Sequence, residues 1–289
     1  MMLTLFTPAY NRAVTLPRLY ESLLRQTCFD FEWLIIDDGS SDDTSRLIHS
    51  FTGEGKFPVR YVYKENGGKH TAHNLALEEA EGEWFLCVDS DDTLAPDAVE
   101  MVLKTAREQS GINGIISYKT DLLGNRLSDP FPEGVKRAKL YELDTVYGCT
   151  GEFALAFPTA FAKRYPFPVF PGERFIGECV VYDRMDLEGE MYLLDGVTMP
   201  CEYQPEGYSQ GFTRLMKNNP SGFCLFFLQR IDLMPTLKKQ AVMAGKYWCL
   251  RWISGNRTLQ YKGEHRVLVS LSMPLGVLFR IYYRFVRGF

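Results

Sequence analysis

The first 110 residues alternate apolar runs of strand length with stretches in which apolar residues recur at helical spacing. The four runs are LTLFTPAY (3–10), FEWLII (31–36), VRYVY (59–63) and EWFLCV (83–88). A helical pattern follows each run, the first with Pro17 near its start and the last with Pro96. Four strand–helix units in this order predict an α/β fold with a doubly wound, mostly parallel sheet and flanking helices.

The pattern changes after residue 114. Further strand-like runs are GIISY (114–118), EFALAF (152–157) and EMYLLDG (190–196). They are separated by longer polar segments and by a stretch rich in proline and aromatic residues, so we expect this part of the chain to extend the sheet. Residues 207–289 have a mainly helical pattern and predict a helical C-terminal segment.

Polar loops follow all four strands of the first part. They contain the sequences TPAYNR, DDGS, ENGGKH and DSDD. The carboxyl ends of parallel strands lie at one edge of a sheet, and ligands of such sheets bind beyond that edge. We therefore expect the four loops to form a single ligand site.

The fourth loop places Asp89, Asp91 and Asp92 directly after an apolar strand. If the extended backbone continues past the strand, Asp89 and Asp91 point to the same side. Two neighbouring carboxylates repel each other unless a cation holds them, and oxygen ligands of this kind suit Mg²⁺ or Mn²⁺ bound together with substrate phosphates. The alternative is that Ser90, Asp91 and Asp92 only cap a turn before the helix at Pro96.

Composition narrows the classes of protein to consider. The chain has 289 residues, 46% of them hydrophobic, and can bury a sizeable core. Its net charge of −4 disfavours a nucleic-acid-binding protein. The seven cysteines are scattered and form no CxxC pair, which indicates neither a disulfide framework nor a zinc site. Such cysteines fit a reducing cytoplasm, so we expect a cytoplasmic protein. The N-terminus lacks a signal-peptide pattern, and the longest late apolar stretch is shorter than the ~20 residues of a membrane-spanning helix.

Three stretches, TPAYNR, LIIDDGSSDDTS and ENGGKHTAHNLALEEAEGEWFLCVDSDD, occur in an order and at separations that closely resemble the family-2 glycosyltransferases. Members of this family are inverting enzymes with the glycosyltransferase A-type fold. The resemblance spans residues 1–110 and is to the bacterial surface-polysaccharide type. It implies a glycosyltransferase domain over 1–206, with a nucleotide-sugar-binding half at 1–114 and an acceptor half at 115–206, followed by the helical segment at 207–289.

The resemblance also implies roles for individual residues. The positions that hold the nucleoside in the family correspond to Thr7, Tyr10, Arg12 and Asp38. Those near the ribose or phosphate correspond to Lys69 and Asn74. The family's Asp-x-Asp motif corresponds to Asp89, expected at the ribose, and Asp91, expected to bind the Mn²⁺ or Mg²⁺ ion that bridges the diphosphate.

An inverting transfer needs a base, because the acceptor hydroxyl loses its proton as it attacks the anomeric carbon. In the family this base is typically the Asp of a Glu-Asp pair. Here Glu178 matches the Glu, but Cys179 stands where the Asp would be. We therefore predict Glu178 as the base, with Asp183 as the substitute. The alternative is that Glu178 is an acidic residue favoured by the dipole at a helix start.

The end of the chain carries a local excess of positive charge. Residues 262–289 have a net charge of +4. Arg280, Arg284 and Arg287 share one helical face, and the other face contains Leu275, Phe279, Tyr282, Phe285 and Val286. A basic amphipathic helix of this kind is typical of contact with an anionic membrane surface. The alternative is a terminal helix packed on the domain with its arginines in solvent.

These observations predict a cytoplasmic, metal-dependent inverting glycosyltransferase in peripheral contact with the inner face of the cytoplasmic membrane. It would transfer a sugar from a nucleoside diphosphate sugar, with a UDP-sugar favoured by family habit, to a glycan or polyprenyl-linked acceptor in surface polysaccharide synthesis. One alternative is a nucleotidyltransferase, although TPAYNRAVTL lacks the Gly-rich basic loop expected there. Another is a catalytically inactive module that binds a sugar nucleotide or a partner, which Cys179 suggests.

Overall fold

The computed structural model describes residues 2–53, 55–202 and 212–286. The strands are β1 (Leu3–Ala9), β2 (Phe31–Asp37), β3 (Val59–Tyr63), β4 (Trp84–Cys87), β5 (Ile115–Asp121), β6 (Arg137–Ala138), β7 (Phe153–Pro158) and β8 (Met191–Cys201). The helices are α1 (Leu16–Leu24), α2 (Thr44–Thr52), α3 (Lys69–Glu79), α4 (Ala98–Glu108), α5 (Leu140–Thr145), α6 (Thr159–Ala162), α7 (Cys179–Asp186), α8 (Phe212–Asn218), α9 (Pro220–Leu233), α10 (Leu237–Ser254), α11 (Arg266–Leu271) and α12 (Met273–Val286).

The strands form one sheet in the order β3-β2-β1-β4-β7-β5-β8-β6. The first four strands are parallel to one another, as the four strand–helix units predict. Every residue of β2 is buried, which is typical of a parallel strand whose two faces are both covered. The second part of the chain extends the sheet, with β7 antiparallel to both β4 and β5. Only β6 and β7 of the described strands run against the others, so the predicted mostly parallel sheet is confirmed.

The register of the sheet brings the polar loops together at one edge. Ala9, the last residue of β1, pairs with Asp37, the last of β2, and Asp37 pairs with Tyr63 at the end of β3. Phe6 pairs with Cys87, the last residue of β4. The loops after all four strands therefore begin beside one another, as the parallel arrangement predicts.

The chain divides into two compact units. The first contains Met1–Pro166 and Met185–Gln204, and its core includes fully buried Leu5, Trp33 and Ile35 from the sheet. The second contains Phe167–Arg184 and Pro205–Phe289, and its core includes residues from α9 and α10.

Helices α8–α12 confirm the predicted helical C-terminal segment. Among the helices that the structure describes, none is both long enough and apolar enough to cross a membrane. The predicted domain boundary at 206–207 stays a prediction. Residues 203–211 and Arg287 lie outside the described residues.

Candidate active site

The loop after β1 is held in place by the loop after β2 and by the first residue of α2. Asn11 has a φ of 53°, a left-handed conformation that Asn tolerates better than most residues, and its N–H donates to Ser40 Oγ at 2.9 Å. The N–H of Arg12 donates to Thr44 Oγ1 at 2.8 Å. These bonds fix the backbone from which the predicted nucleoside residues Tyr10 and Arg12 project. Tyr10 is 49% exposed, so its ring is accessible to a ligand.

Thr7, the third residue predicted at the nucleoside, is fully buried in β1. Its hydroxyl accepts a hydrogen bond of 2.9 Å from the indole N–H of Trp33 in β2. The side chain therefore links the two strands, and a nucleoside contact at Thr7 stays a prediction.

Asp38 organises the Gly-Gly loop that precedes α3. Its carboxylate accepts hydrogen bonds from the N–H groups of Gly67 at 2.9 Å and Gly68 at 2.7 Å, and it pairs with the ammonium group of Lys64. Asp38 is only 4% exposed, and these bonds compensate its carboxylate for the loss of hydrating water. Asp38 thus shapes the third loop, and its predicted contact with a nucleoside stays a prediction.

Lys69 and Asp89 form an ion pair between the third and fourth loops. Lys69, the first residue of α3, places its Nζ 2.6 Å from Asp89 Oδ1. Burial disfavours the charged form of Asp89, but the positive charges of Lys69 and Lys119 outweigh that effect and hold the pKa of Asp89 below its usual value. The carboxylate is therefore ionised at neutral pH. Asn74 lies half-buried on the same helix as Lys69.

The acidic loop turns sharply after β4. The N–H of Asp92 donates to the carbonyl of Asp89 at 3.0 Å, so the expectation that an extended backbone continues from Asp89 to Asp91 is wrong. The guanidinium group of Arg18 donates to the carbonyl of Asp91 and pairs with Glu202. We call residues 89–92 the acidic turn. Arg18 of α1 holds it, and Glu202, just after β8, pairs with Arg18.

Sequence reasoning missed Lys119, a cation on β5 that contacts this turn. Its Nζ lies 3.3 Å from Asp92 Oδ2, and both side chains are largely buried. Burial raises the pKa of Asp92 to about 6. Burial disfavours the charged form of Lys119, but the nearby negative charges outweigh it and keep the pKa of Lys119 above its usual value. The sequence gives little sign of this contact, because Lys119 lies among Ser117, Thr120 and Asp121 in the polar half of β5.

The Asp91 carboxylate is the member of the turn that fits a metal ion. It is half-buried and forms no ion pair or side-chain hydrogen bond with any described residue. Within the described ranges, no group of three or more His, Cys, Asp or Glu side chains could hold a metal ion by itself. Mg²⁺ commonly takes one or two protein carboxylates and completes its shell with phosphate oxygens and water. The acidic turn suits that mode of binding and does not suit an all-protein cage.

The predicted bases belong to the second unit. Glu178 is half-buried immediately before α7, and its carbonyl accepts the N–H of Val181 at 2.9 Å in the first turn. Asp183 is buried and forms two hydrogen bonds with the Arg230 guanidinium, at 2.5 and 2.8 Å. Burial and the charge of Asp183 raise the pKa of Cys179 to about 11, so this thiol is protonated at neutral pH and is a poor base.

Known proteins with a similar fold include two whose structures contain a bound nucleotide sugar. The structure of S. aureus TarS 1–349 in complex with UDP-GlcNAc aligns with a TM-score of 0.63 and 18% identity over 94% of this chain and 79% of that one. The mannosyltransferase PcManGT from Pyrobaculum calidifontis, in complex with GDP-Man and Mn²⁺, aligns with a TM-score of 0.58 and 18% identity over 97% and 80%. At these identities the likeness shows a shared fold.

Sequence relatives are more similar over a shorter range. A chondroitin synthase of Pasteurella multocida (strain Pm70) is 42% identical over 103 residues, which are 36% of this chain and 11% of that protein. A chondroitin synthase of Escherichia coli is 34% identical over 132 residues, 45% of this chain and 19% of that protein. The chain thus spans less than a fifth of the length of these relatives. Residues 4–164, more than half of the chain, match the model of the family described as Glycosyl transferase family 2. Together with the fold and the acidic turn, this match shows that the chain belongs to glycosyl transferase family 2.

Proposed function

We propose that the chain is a metal-dependent inverting glycosyltransferase that uses a nucleoside diphosphate sugar, with a UDP-sugar favoured. The observation that carries this proposal is the arrangement at the acidic turn, where Lys69 pairs with Asp89 while the half-buried Asp91 carboxylate has no described protein partner. A cation and two carboxylates at the carboxyl edge of a parallel sheet suit a diphosphate and its metal ion. The complexes of TarS with UDP-GlcNAc and of PcManGT with GDP-Man and Mn²⁺ support the proposal by analogy.

In this proposal each loop contributes to donor binding. Tyr10 and Arg12, on the fixed first loop, contact the nucleoside. Lys69 lies near the ribose or the phosphate and supplies positive charge there. Asp89 would contact the ribose, and Asp91 would hold Mn²⁺ or Mg²⁺. When bound, the ion neutralises the negative charge that develops on the nucleoside diphosphate as it leaves. Thr7, Asp38 and Asn74 are assigned to the same binding region as positioning groups.

We assign the base to Glu178. Asp183 is less suited because both of its oxygens accept hydrogen bonds from Arg230 and the side chain is buried. Cys179 is less suited because its thiol keeps its proton at neutral pH. Glu178 is half-buried, so an acceptor hydroxyl can approach it, and its carboxylate would take the proton of that hydroxyl.

The acceptor is proposed to be a glycan or lipid-linked glycan used in surface polysaccharide synthesis, with the enzyme in peripheral contact with the cytoplasmic membrane. Support for a polysaccharide product comes from the names of the relatives, which include a chondroitin synthase and a hyaluronan synthase of Pasteurella multocida. A binding module without activity is kept as a second candidate because Cys179 replaces the family's usual base. No observation favours a nucleotidyltransferase.

Isothermal titration of the purified chain with UDP and with GDP, each with Mn²⁺ and with EDTA, tests the donor site. We expect Mn²⁺-dependent binding of one nucleotide, and a loss of affinity of about tenfold or more in Asp91→Asn. The matched control is Asp97→Asn, because Asp97 is exposed and lies outside the turn. Binding that persists in EDTA and in Asp91→Asn would remove the metal from the proposal, and an absence of binding to both nucleotides would refute the donor site.

Hydrolysis of the preferred UDP-sugar in the absence of an acceptor tests the base. Glu178→Gln should lower the rate by about 10²-fold or more while nucleotide affinity is unchanged, because a general base contributes to the chemical step only. The control is Glu264→Gln, an exposed acid of the same unit. If the unaltered chain binds the donor but releases no UDP with any sugar or acceptor extract, the binding-module alternative is favoured.

A further inference from the structure

Helix α12 is packed against α10 through one of its faces. A Cβ added to Gly245 of α10 would lie only 2.7 Å from Leu275 Cγ, and one added to Gly276 of α12 would lie 2.6 Å from Trp248 Cβ. The indole N–H of Trp248 also donates to the carbonyl of Val269 in α11 at 2.7 Å. These close approaches show that α11 and α12 are packed on α10. We call the packed side, which contains Val269, Leu275 and Gly276, the inner face; its partner is α10.

The opposite side of α11 and α12 is apolar and exposed. We call it the outer face and define it by Val267 (74% exposed), Leu271 (74%), Leu278 (61%), Ile281 (50%) and Phe285 (77%). Val267 and Leu271 are four residues apart on α11, and Leu278, Ile281 and Phe285 are three and four residues apart on α12, so each set lies along one side of its helix. Large apolar residues are common singly on protein surfaces, but a row of them marks an interaction surface.

Positive charge borders the outer face. Arg280 and Arg284 are exposed, lie one helical turn apart and lie on the same side of Ile281. Arg266 is exposed at the start of α11. No Asp or Glu occurs between residues 265 and 289, so this charge is not balanced within the two helices.

The structure changes the helical face predicted from the sequence. Leu275 and Phe285 are expected on one apolar face, but Leu275 contacts α10 whereas Phe285 is mostly exposed. The alternative, a terminal helix packed on the domain with its arginines in solvent, accounts for the packed inner face. It does not account for the exposed apolar outer face. A helix that is apolar on two sides needs a partner on each of them.

We propose that the outer face binds an anionic lipid surface, with α11 and α12 lying in the plane of the membrane interface. The apolar side chains would enter the boundary between headgroups and acyl chains, and the arginines would reach lipid phosphates. Helix α12 has 14 residues, about 21 Å at 1.5 Å per residue, and is shorter than the ~30 Å hydrocarbon core. It therefore suits an orientation along the surface.

A second copy of the chain is a less suitable partner than lipid. A twofold interface brings the same patch of two molecules together, so Arg280 and Arg284 of each copy would lie near the other's arginines. Neither helix offers an acid to pair with them. Lipid phosphates supply that missing negative charge. The proposal specifies the peripheral membrane contact suggested above and does not depend on the donor or on the base.

Co-sedimentation of the full chain with vesicles tests this surface. One set of vesicles contains only phosphatidylcholine, and the other also contains phosphatidylglycerol. We expect binding to the anionic vesicles that weakens with added salt. The triple variant Leu278→Ser, Ile281→Ser, Phe285→Ser should reduce the partition coefficient by about tenfold or more. Arg280→Gln and Arg284→Gln should each reduce it by about fivefold on anionic vesicles, with little effect on neutral ones.

The matched control is Leu123→Ser, because Leu123 is 88% exposed in the turn after β5 and belongs to the first unit. It should bind vesicles like the unaltered chain. Equal binding to the two vesicle types would overturn the proposal. So would binding to anionic vesicles that is unchanged in the triple serine variant and in the arginine variants. So would a dimer in analytical ultracentrifugation that the triple variant converts to a monomer.

Nucleotide titration of the same variants separates this proposal from the proposed function. The vesicle-binding variants should keep the nucleotide affinity of the unaltered chain, since the outer face belongs to the second unit and the acidic turn to the first. Vesicle binding without nucleotide binding would leave the membrane surface supported and refute the donor site alone.

Discussion

Lys119 Nζ lies 3.3 Å from Asp92 Oδ2, and this largely buried pair anchors one end of the acidic turn to β5. Replacing Lys119 with Met would leave Asp92 buried without its cation. Breaking a buried ion pair from one side is strongly destabilising, so we expect Lys119→Met to lower the free energy of unfolding by about 3 kcal/mol. Urea denaturation followed by circular dichroism measures this change.

Two further variants test whether the effect comes from the pair. Lys119→Met combined with Asp92→Asn removes both charges and should recover part of the lost stability. Lys104→Met, at an exposed lysine on α4, should change the free energy of unfolding by less than about 0.5 kcal/mol. Equal stability of Lys119→Met and the unaltered chain would show that the pair does not stabilise the turn.

Gly39 should not tolerate a side chain, for two separable reasons. Its φ of +85° is unfavourable for other residues, and an added Cβ would lie 2.9 Å from the backbone nitrogen of Asn66. Gly124 has a φ of +87° but open space around it, so it isolates the backbone effect. We expect Gly124→Ala to lower the free energy of unfolding by about 1 kcal/mol and Gly39→Ala by about 2–3 kcal/mol. Similar losses of stability in Gly39→Ala and Gly124→Ala would mean that Asn66 moves away from the added Cβ at little energetic cost.

His70 should make the protein less stable in mild acid. It is buried in the first turn of α3, and this burial lowers its pKa below the ordinary value of 6.5. The unfolded chain therefore takes up the proton at a higher pH than the folded protein does. The contribution of His70 to the free energy of unfolding should therefore fall as the pH decreases from about 7 to about 5, whereas that of Asp92, whose pKa is raised to about 6, changes in the opposite direction. His70→Gln should remove the contribution of His70 to the slope of the free energy of unfolding against pH, whereas His49→Gln, at an exposed histidine, should leave the slope unchanged. Equal slopes for the unaltered chain, His70→Gln and His49→Gln would contradict the assignment of this pH dependence to His70.

The strand–helix order of the first part of the chain could be predicted because it depends on local patterns. The run from Phe31 to Ile36 is apolar except for Glu32, and the structure buries all of it. The polar loops could also be placed at one edge, because parallel strands impose that arrangement. The position of β7 between β4 and β5 could not be predicted, since it depends on antiparallel pairing between segments far apart in the chain.

The partners of the site residues were harder to predict than their positions. Asp38 contacts Gly67 and Gly68, about 30 residues away, and Lys119 contacts Asp92 from another strand. Such contacts depend on strand register and loop closure, which a hydrophobic pattern does not encode. The same holds for α12, where one helical period is compatible with two apolar faces and only the packing on α10 separates them.

The Lys69–Asp89 pair should be needed for donor affinity as well as for the order of the two loops. Removing the ammonium group in Lys69→Met takes away the cation nearest Asp89, whose pKa should then rise towards its usual value. Because a charge-assisted hydrogen bond contributes more than a neutral one, we expect nucleotide affinity to fall by about tenfold in titration calorimetry. Lys238→Met is the control, since Lys238 also lies in the first turn of a helix but is exposed. An unchanged affinity in Lys69→Met would place the diphosphate away from this pair.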